Sequence, residues 1–325
     1  MQETFIGIEI GGTKIQLAAG DRTGAITRRQ RFAVEDRDGA GIREALKANL
    51  VSMLAAAPAS GIGVGFGGPV SWAEGRVEKS HHVKGWDDFA LAGWLSDLTG
   101  LPAWIENDTN VGALAEAWAG AGRGSRVVFY TNQGTGVGGG LAIQGEVYHG
   151  AKPGEMEFGH VLLDRQGTKL EQRCSGRAVD AKVRQLVAGN PTGHLARLVG
   201  KETVAIARFL SPAILAGDSE ARALLDETAD DLAFGLSHLS QLVHPDVIVL
   251  GGGLSLLGEV WRKAVADRLP AYVMDVHQPG PPVKLAELGE DVVLTGALLL
   301  AAKGAQNRTP GKTEVRGNKL YEKMA

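Results

Sequence analysis

One cysteine, Cys174, stands in a chain of 325 residues. That excludes an internal disulfide and any all-cysteine metal knuckle, and the chain reads as cytoplasmic. Neither sign of charge dominates: 34 basic residues meet 37 acidic ones, for a formal net charge of −3. No surplus of positive charge is left to cover nucleic-acid phosphates or an anionic membrane. No apolar run reaches the roughly 18 residues of a membrane span, and the start, MQETFIGIEIGG, lacks the basic head and apolar core of a secretory leader. Prolines number only 12, so even with the glycines they fall short of the roughly 25–30% that marks low complexity. What is abundant is glycine, 46 residues, about twice the usual share and without the three-residue period of collagen. With 44% hydrophobic and 22% charged residues, the chain is globular and long enough for about two domains of roughly 150 residues. The glycines therefore serve local purposes.

Their positions show which. Phe5 to Ile10 and Lys14 to Ala19 read as two strands joined at Gly11-Gly12-Thr13, a hairpin. Residues 41–57 have helical spacing, and Ile62 to Phe66 alternates apolar residues with glycine before Gly67-Gly68-Pro69. A helix is predicted over 86–98, a strand over 102–105 and an alanine-rich helix over 109–119. The second half opens with a strand from Arg126 to Thr131, a glycine-rich tip from Gln133 to Gly140, and a strand from Leu141 to Ile143. Helices are predicted over 175–188, 203–210, 220–242, 257–269 and 294–302, with a buried strand over 245–250 turned by Gly251-Gly252-Gly253. The two halves share a plan, which predicts an α/β fold with its boundary near Gly120 to Arg126. From Asn307 onward the text is polar and predicts a loosely held tail.

Three of the glycine clusters suit phosphate handling, because a backbone N–H approaches an oxygen closely only where no side chain intervenes. Gly11-Gly12-Thr13-Lys14 adds a hydroxyl and an ammonium, and Gly134-Thr135-Gly136 adds a hydroxyl. Singly each reads as a turn; one in each half points to a nucleotide held between them. Two look-alikes fail. Gly134, Gly136 and Gly139 spell a dinucleotide fingerprint, but a strand follows where a helix is required. Gly311-Lys312-Thr313 resembles the end of a Walker loop, but Gln306 occupies the position of its first glycine. Glu106-Asn107-Asp108-Thr109-Asn110 lies where a strand meets a helix, so it reads either as a helix cap or as carboxylates at a catalytic strand end. Glu155, Glu157, His160 and Glu171 gather carboxylates and an imidazole, but no cysteine pair accompanies them to specify a metal site.

In order along the chain, IEIGGTK (8–14), GGP (67–69), GW (85–86), ENDTN (106–110), GTGVG (134–138), EFGH (157–160), SG (175–176), AGD (216–218) and VLGGG (249–253) resemble the ROK family of sugar kinases and sugar-responsive repressors. The resemblance spans about residues 5–303. It implies the two-domain actin-like, hexokinase-like (ribonuclease H-like) ATPase fold, with a cleft between a small domain (1–120, joined by a returning helix at 293–304) and a large one (121–292), then the tail 305–325. It implies ATP with Mg²⁺ at Gly11, Gly12, Thr13, Lys14, Gly134, Thr135 and Gly136, with adenosine near Gly251, Gly252 and Gly253. Asp108 matches the catalytic base, expected to be ionised near neutral pH without a large shift; Asn107, Glu157, His160 and Glu171 match the sugar-binding positions, and Gly68 borders the sugar. The implied reaction phosphorylates O6 of glucose or a related hexose; fructose, mannose and N-acetylhexosamines are the other acceptors. Members of the family are often dimers or tetramers, which implies a homodimer.

Three departures stand out. The stretch from Val161 to Leu170 is short and has no cysteine, where the family carries a three-cysteine zinc loop, so no zinc is expected and His160 is freed from ligation. Glu9 replaces the usual aspartate and could still reach the Mg²⁺ water shell. The family's sugar-binding asparagine appears here as His82, in SHHVKGW, a change at the substrate pocket that opens the identity of the sugar. Two other readings follow from the resemblance. In a repressor, a DNA-binding helix-turn-helix would precede the hairpin that begins here at Phe5. In a sugar-binding protein without turnover, Glu9 and His82 would mark lost catalysis.

Overall fold

The structure, a computed structural model, describes residues 3–12, 14–33, 38–56, 58–80, 83–151, 154 and 156–307. Thr13, His82, Glu155 and the tail from 308 onward, with its Gly311-Lys312-Thr313, lie outside the described residues.

The chain builds β1 (Thr4–Ile10), β2 (Lys14–Asp21), β3 (Ile26–Ala33), α1 (Gly39–Ala56), β4 (Ile62–Phe66), the short pair β5 (Val70–Ser71) and β6 (Arg76–Val77), α2 (Leu91–Thr99), β7 (Ala103–Asn107) and α3 (Asp108–Ala119). The sheet order is β3-β2-β1-β4-β7, an antiparallel meander extended by parallel strands. The second half follows with β8 (Val127–Gln133), β9 (Val137–Ile143), β10 (Glu146–Val147), α4 (Leu170–Cys174), α5 (Gly176–Gly189), α6 (His194–Val199), α7 (Leu210–Leu215), α8 (Ser219–Val243), β11 (Val247–Gly251), α9 (Glu259–Arg268) and β12 (Val283–Leu285). Its order, β10-β9-β8-β11-β12, repeats the first sheet's plan strand for strand. The last helix, α10 (Val292–Asn307), packs on β1, β4 and α3. Among the described residues no helix is long and apolar enough to cross a membrane.

The alternation in β4 explains how α10 gets so close. Ile62, Val64 and Phe66 point into one core with Ile6, Ile8 and Ile10 of β1. Gly63 and Gly65 face the other way, toward α10 and α3. A Cβ on Gly63 would lie 1.9 Å from the Ala297 carbonyl oxygen, and one on Gly296 would lie 2.0 Å from that of Val111. Helix backbones thus rest directly on sheet and neighbouring helix, an approach that only glycine permits.

Several elements differ from the sequence expectation, each for a local reason. The helix predicted over 86–98 begins only at Leu91, because Gly85 and Asp88 adopt φ of 89° and 55° and Phe89 bridges Val77. The helix predicted over 203–210 is a single 3₁₀ turn at Ile206–Phe209 running into α7. Gly258, at φ 71°, delays the helix predicted over 257–269 until Glu259. Strand β3 was not anticipated, since Arg28, Arg29 and Arg31 obscure its apolar positions. At the sheet edge these arginines are solvated, Arg29 pairing with Asp291 and Arg31 with Glu290 just ahead of α10; charge on an edge also discourages pairing with another chain.

Candidate active site

Strand β9 gathers the pieces. A Cβ on Gly138 would meet Thr109 Oγ1 at 2.4 Å, one on Gly139 the Met156 carbonyl at 2.5 Å, and one on Gly136 the Glu171 carboxylate at 2.9 Å. Each absent side chain therefore admits a neighbour of a candidate residue: Thr109 follows Asp108, Met156 precedes Glu157, and Glu171 itself lies against the tip. The tip predicted over Gln133 to Gly140 is shorter than expected, because β9 begins at Val137 and Gly138, Gly139 and Gly140 pair with β8.

At the corner between β7 and α3, the two readings of the ENDTN segment prove compatible. Asn107 is the helix cap: its Oδ1 accepts the N–H groups of Thr109 (2.8 Å) and Asn110 (3.2 Å), while its Nδ2 donates to the Gly68 carbonyl (3.2 Å). With capping done by Asn107, the Asp108 carboxylate is left beside Gly67, whose Cβ would be 3.5 Å from Asp108 Oδ2 and 3.6 Å from Gly11. The first phosphate tip and the candidate base thus share one corner.

Electrostatics there correct the expectation of an unshifted base. Burial first, then the charge of Glu9, then that of Glu157, push the Asp108 carboxyl up to about 6, against a weaker downward pull from the Thr109 hydroxyl and amide. Glu9 is buried and held on both sides: Gln16 Nε2 donates to its Oε2 at 2.7 Å, and Lys14 Nζ lies 3.4 Å from its Oε1. Gln16 was not singled out from sequence. It stands directly opposite Glu9 in the β1–β2 register, the one polar side chain within an apolar strand, a signal that the hairpin reading already contained.

The other candidates distribute as follows. Gly12 is half-buried, Thr135 exposed, and Gly134 has open space, a Cβ there meeting only Asn132 Oδ1 at 3.7 Å. Gly253 is similarly open, but the missing side chains of Gly251 and Gly252 are taken up by Tyr130 and by Asn132 and Gln133. The open backbone at Gly134 and Gly253, and the Lys14 ammonium on the first hairpin, are of the kinds that suit a polyphosphate chain and its nucleoside. One carboxylate at Glu9 fits Mg²⁺, which takes one or two protein carboxylates and completes its shell with water and substrate phosphates.

Glu157 and His160 are exposed and flank a 3₁₀ turn at Phe158–His160. His160 Nδ1 lies 3.1 Å from Lys169 Nζ, across a tight hairpin closed by Leu163 N–H to Thr168 O (2.8 Å) and Leu170 N–H to Val161 O (2.9 Å). Cys174 is buried, its thiol pushed up by burial, and among the described residues no three His, Cys, Asp or Glu side chains converge on a metal position. We expect elemental analysis of the purified protein to give well under one zinc per chain; a stoichiometric zinc would contradict this donor set.

Comparison with known proteins places these features in a family. The sequence model of the ROK family matches residues 5–304. The chain is 29% identical over 310 residues to a glucokinase of Halalkalibacterium halodurans, spanning 90% of this chain and 93% of that one. It is 31% identical over 305 residues to the N-acetylgalactosamine kinase AgaK of a Shewanella species, spanning 91% and 96%. Among solved structures, a glucokinase of Streptomyces griseus in complex with glucose and AMPPNP superposes with a TM-score of 0.81 at 28% identity, covering 93% of this chain and all of that one.

Proposed function

The chain belongs to the ROK family, with its actin-like ATPase fold, and on that premise we propose that it is an ATP-dependent hexose kinase with Asp108 as general base. The observation that carries this reading is the shared corner: a half-buried carboxylate raised to about 6, beside Gly67 and the first glycine tip, with the next residue, Thr109, packed against the glycines of β9. We place the cleft between residues 1–120, with the returning helix 293–304, and residues 121–292.

Bound ATP with Mg²⁺ supplies the phosphoryl group and screens its charge, so the protein's work is positioning and electrostatics. Lys14 and the backbone of Gly11, Gly12, Gly134 and Gly136 would hold the phosphates, with Thr13 and Thr135 adding hydroxyls, Glu9 holding the metal's water shell and Gly251 to Gly253 lining the nucleoside. Asn107, Glu157, His160 and Glu171, with Gly68 beside Asn107, would fix the sugar hydroxyls; His82 borders them in sequence. Carboxylates suit this because each accepts two hydroxyl hydrogen bonds with defined direction. Asp108 then takes the proton of the attacking hydroxyl, most directly O6 of glucose or a related hexose.

A base at about 6 is ionised at neutral pH. The sign follows: kcat/KM, which reports the free enzyme, falls as pH drops through about 6 and is flat above it. A profile flat down to pH 5 would remove Asp108 from this role.

ADP release coupled to a panel of glucose, mannose, fructose, allose, N-acetylglucosamine, N-acetylmannosamine, N-acetylgalactosamine and a β-glucoside names the substrate. If none of them stimulates ADP release, the kinase reading fails.

A further inference from the structure

One buried carboxylate next to the site is not used by this mechanism. Glu106 is 2% exposed and satisfied by three donors. Its Oε1 accepts the backbone N–H of Asn107 (2.8 Å) and the Nδ2 of Asn110 (3.0 Å), and its Oε2 lies 2.5 Å from His149 Nε2. A carboxylate can only accept, so Nε2 carries the proton. The imidazole lies flat on Trp72, centroids 4.1 Å apart and planes at 22°.

The three side chains come from separate places. Glu106 is the next-to-last residue of β7, the edge strand of the first sheet; Trp72 follows β5; His149 follows β10, the edge strand of the second sheet. His149 therefore fastens the second half of the molecule to the corner of the first that carries Asn107 and Asp108. The load on that one contact is high. Without the imidazole, Glu106 Oε2 is buried with no donor, a state costly enough that the carboxylate must turn or draw in water. Turning it withdraws Oε1 from the Asn107 amide and Asn110, and so releases the first turn of α3.

We propose that His149 is a positioning residue: with Trp72 as the platform under its ring, it locks Glu106 and thereby holds the β7–α3 corner in register with the second half. Resting as it does on the kinase reading for its catalytic consequence, the proposal has a structural consequence that does not need turnover. A displacement of about 1 Å at a reacting group can cost on the order of 10²-fold in rate.

The test is amide hydrogen exchange over residues 103–114 of the full chain, with kcat and sugar KM, in wild type, His149→Phe, which stacks but cannot donate, and His149→Gln, whose amide reaches about as far as Nε2. In His149→Phe we expect exchange at the amides of 107–110 to rise by about tenfold while the core strands are unchanged, and kcat to fall by on the order of 10–100-fold, more than KM rises. His149→Gln should restore both to within about threefold. Unchanged exchange in His149→Phe overturns the proposal whether or not the protein is a kinase. So does a rise shared by every core amide, which is mere loss of stability, or a local rise with wild-type kcat. Where wild type itself gives no sugar-stimulated ADP, the kinase reading fails and exchange alone decides whether the fastening exists. Should His149→Phe not fold, Trp72→Leu, which removes the platform and keeps the donor, reads the same amides: a local rise supports the proposal and none overturns it.

Discussion

Asp108→Asn is expected to lower turnover by on the order of 10²–10⁴-fold, the usual range for removing a general base, while sugar binding survives and the fold becomes more stable at neutral pH. The amide keeps the size of the carboxylate and still accepts from Thr109 Oγ1, which lies 3.2 Å from Asp108 Oδ1. The stability change follows from linkage. The folded value of about 6 lies above the ordinary 3.8, so folding favours the protonated form. That contribution is fully present below about pH 4 and is lost as pH rises through 6. Above 6 the native state carries an ionised carboxylate that burial and Glu9 disfavour, at a cost of up to about 3 kcal/mol. A neutral amide removes the cost. Thermal melts at pH 7.5 should therefore show the variant above wild type, with the two converging near pH 4. Near-normal turnover would take the role of base from Asp108, and a variant less stable than wild type at pH 7.5 would contradict the environment assigned to it.

Gly63→Ala is expected to cost about 3 kcal/mol or more, the range for forcing extra volume into a packed interior. The new methyl would sit 1.9 Å from the Ala297 carbonyl oxygen and 2.8 Å from its carbon. These are backbone atoms of α10, so relief requires moving the helix off β1 and β4, not turning a side chain. The melting temperature should fall by on the order of 5–10 °C. Gly93→Ala makes the opposite case: within α2 an added Cβ meets nothing within 4 Å, and the gain in helix propensity should raise stability by about 0.5–1 kcal/mol. Equal effects from the two substitutions would refute the packing argument. The same chemical change thus has opposite signs, decided by what each glycine faces.

That contrast describes how far the amino-acid order carries. Periodicity and glycine tips, read along the chain, were enough for both hairpins, the buried strand now seen as β11, the long helix α8 and the α/β class, because hydrogen-bonded hairpins and amphipathic helices are local and repeat every two or 3.6 residues. The order of nine short motifs was enough for the family, and the family model's match over residues 5–304 agrees with it. Local pattern failed where a single backbone angle overrode it, as at Asp88 and Gly258, and at β3, whose arginines look like a loop until the neighbouring strand is known to pair with them.

The purpose of the glycines, by contrast, was settled only in three dimensions. In sequence, the glycines from Gly61 to Gly68 look alike; in the fold, Gly63 and Gly65 make room for α10 and α3, while Gly67 lies against the Asp108 carboxylate and the Gly68 carbonyl accepts from Asn107. The charge state of Asp108 is likewise tertiary, since Glu9 lies 99 residues away in the sequence and acts on it only because two strands and a helix start converge. The Glu106–His149 contact, 43 residues apart, has no sequence signature at all. Hydrogen-bond patterns and hydrophobic periods are written into neighbouring residues; desolvation, charge coupling and close backbone approach depend on which distant segments meet, and only the folded chain decides that.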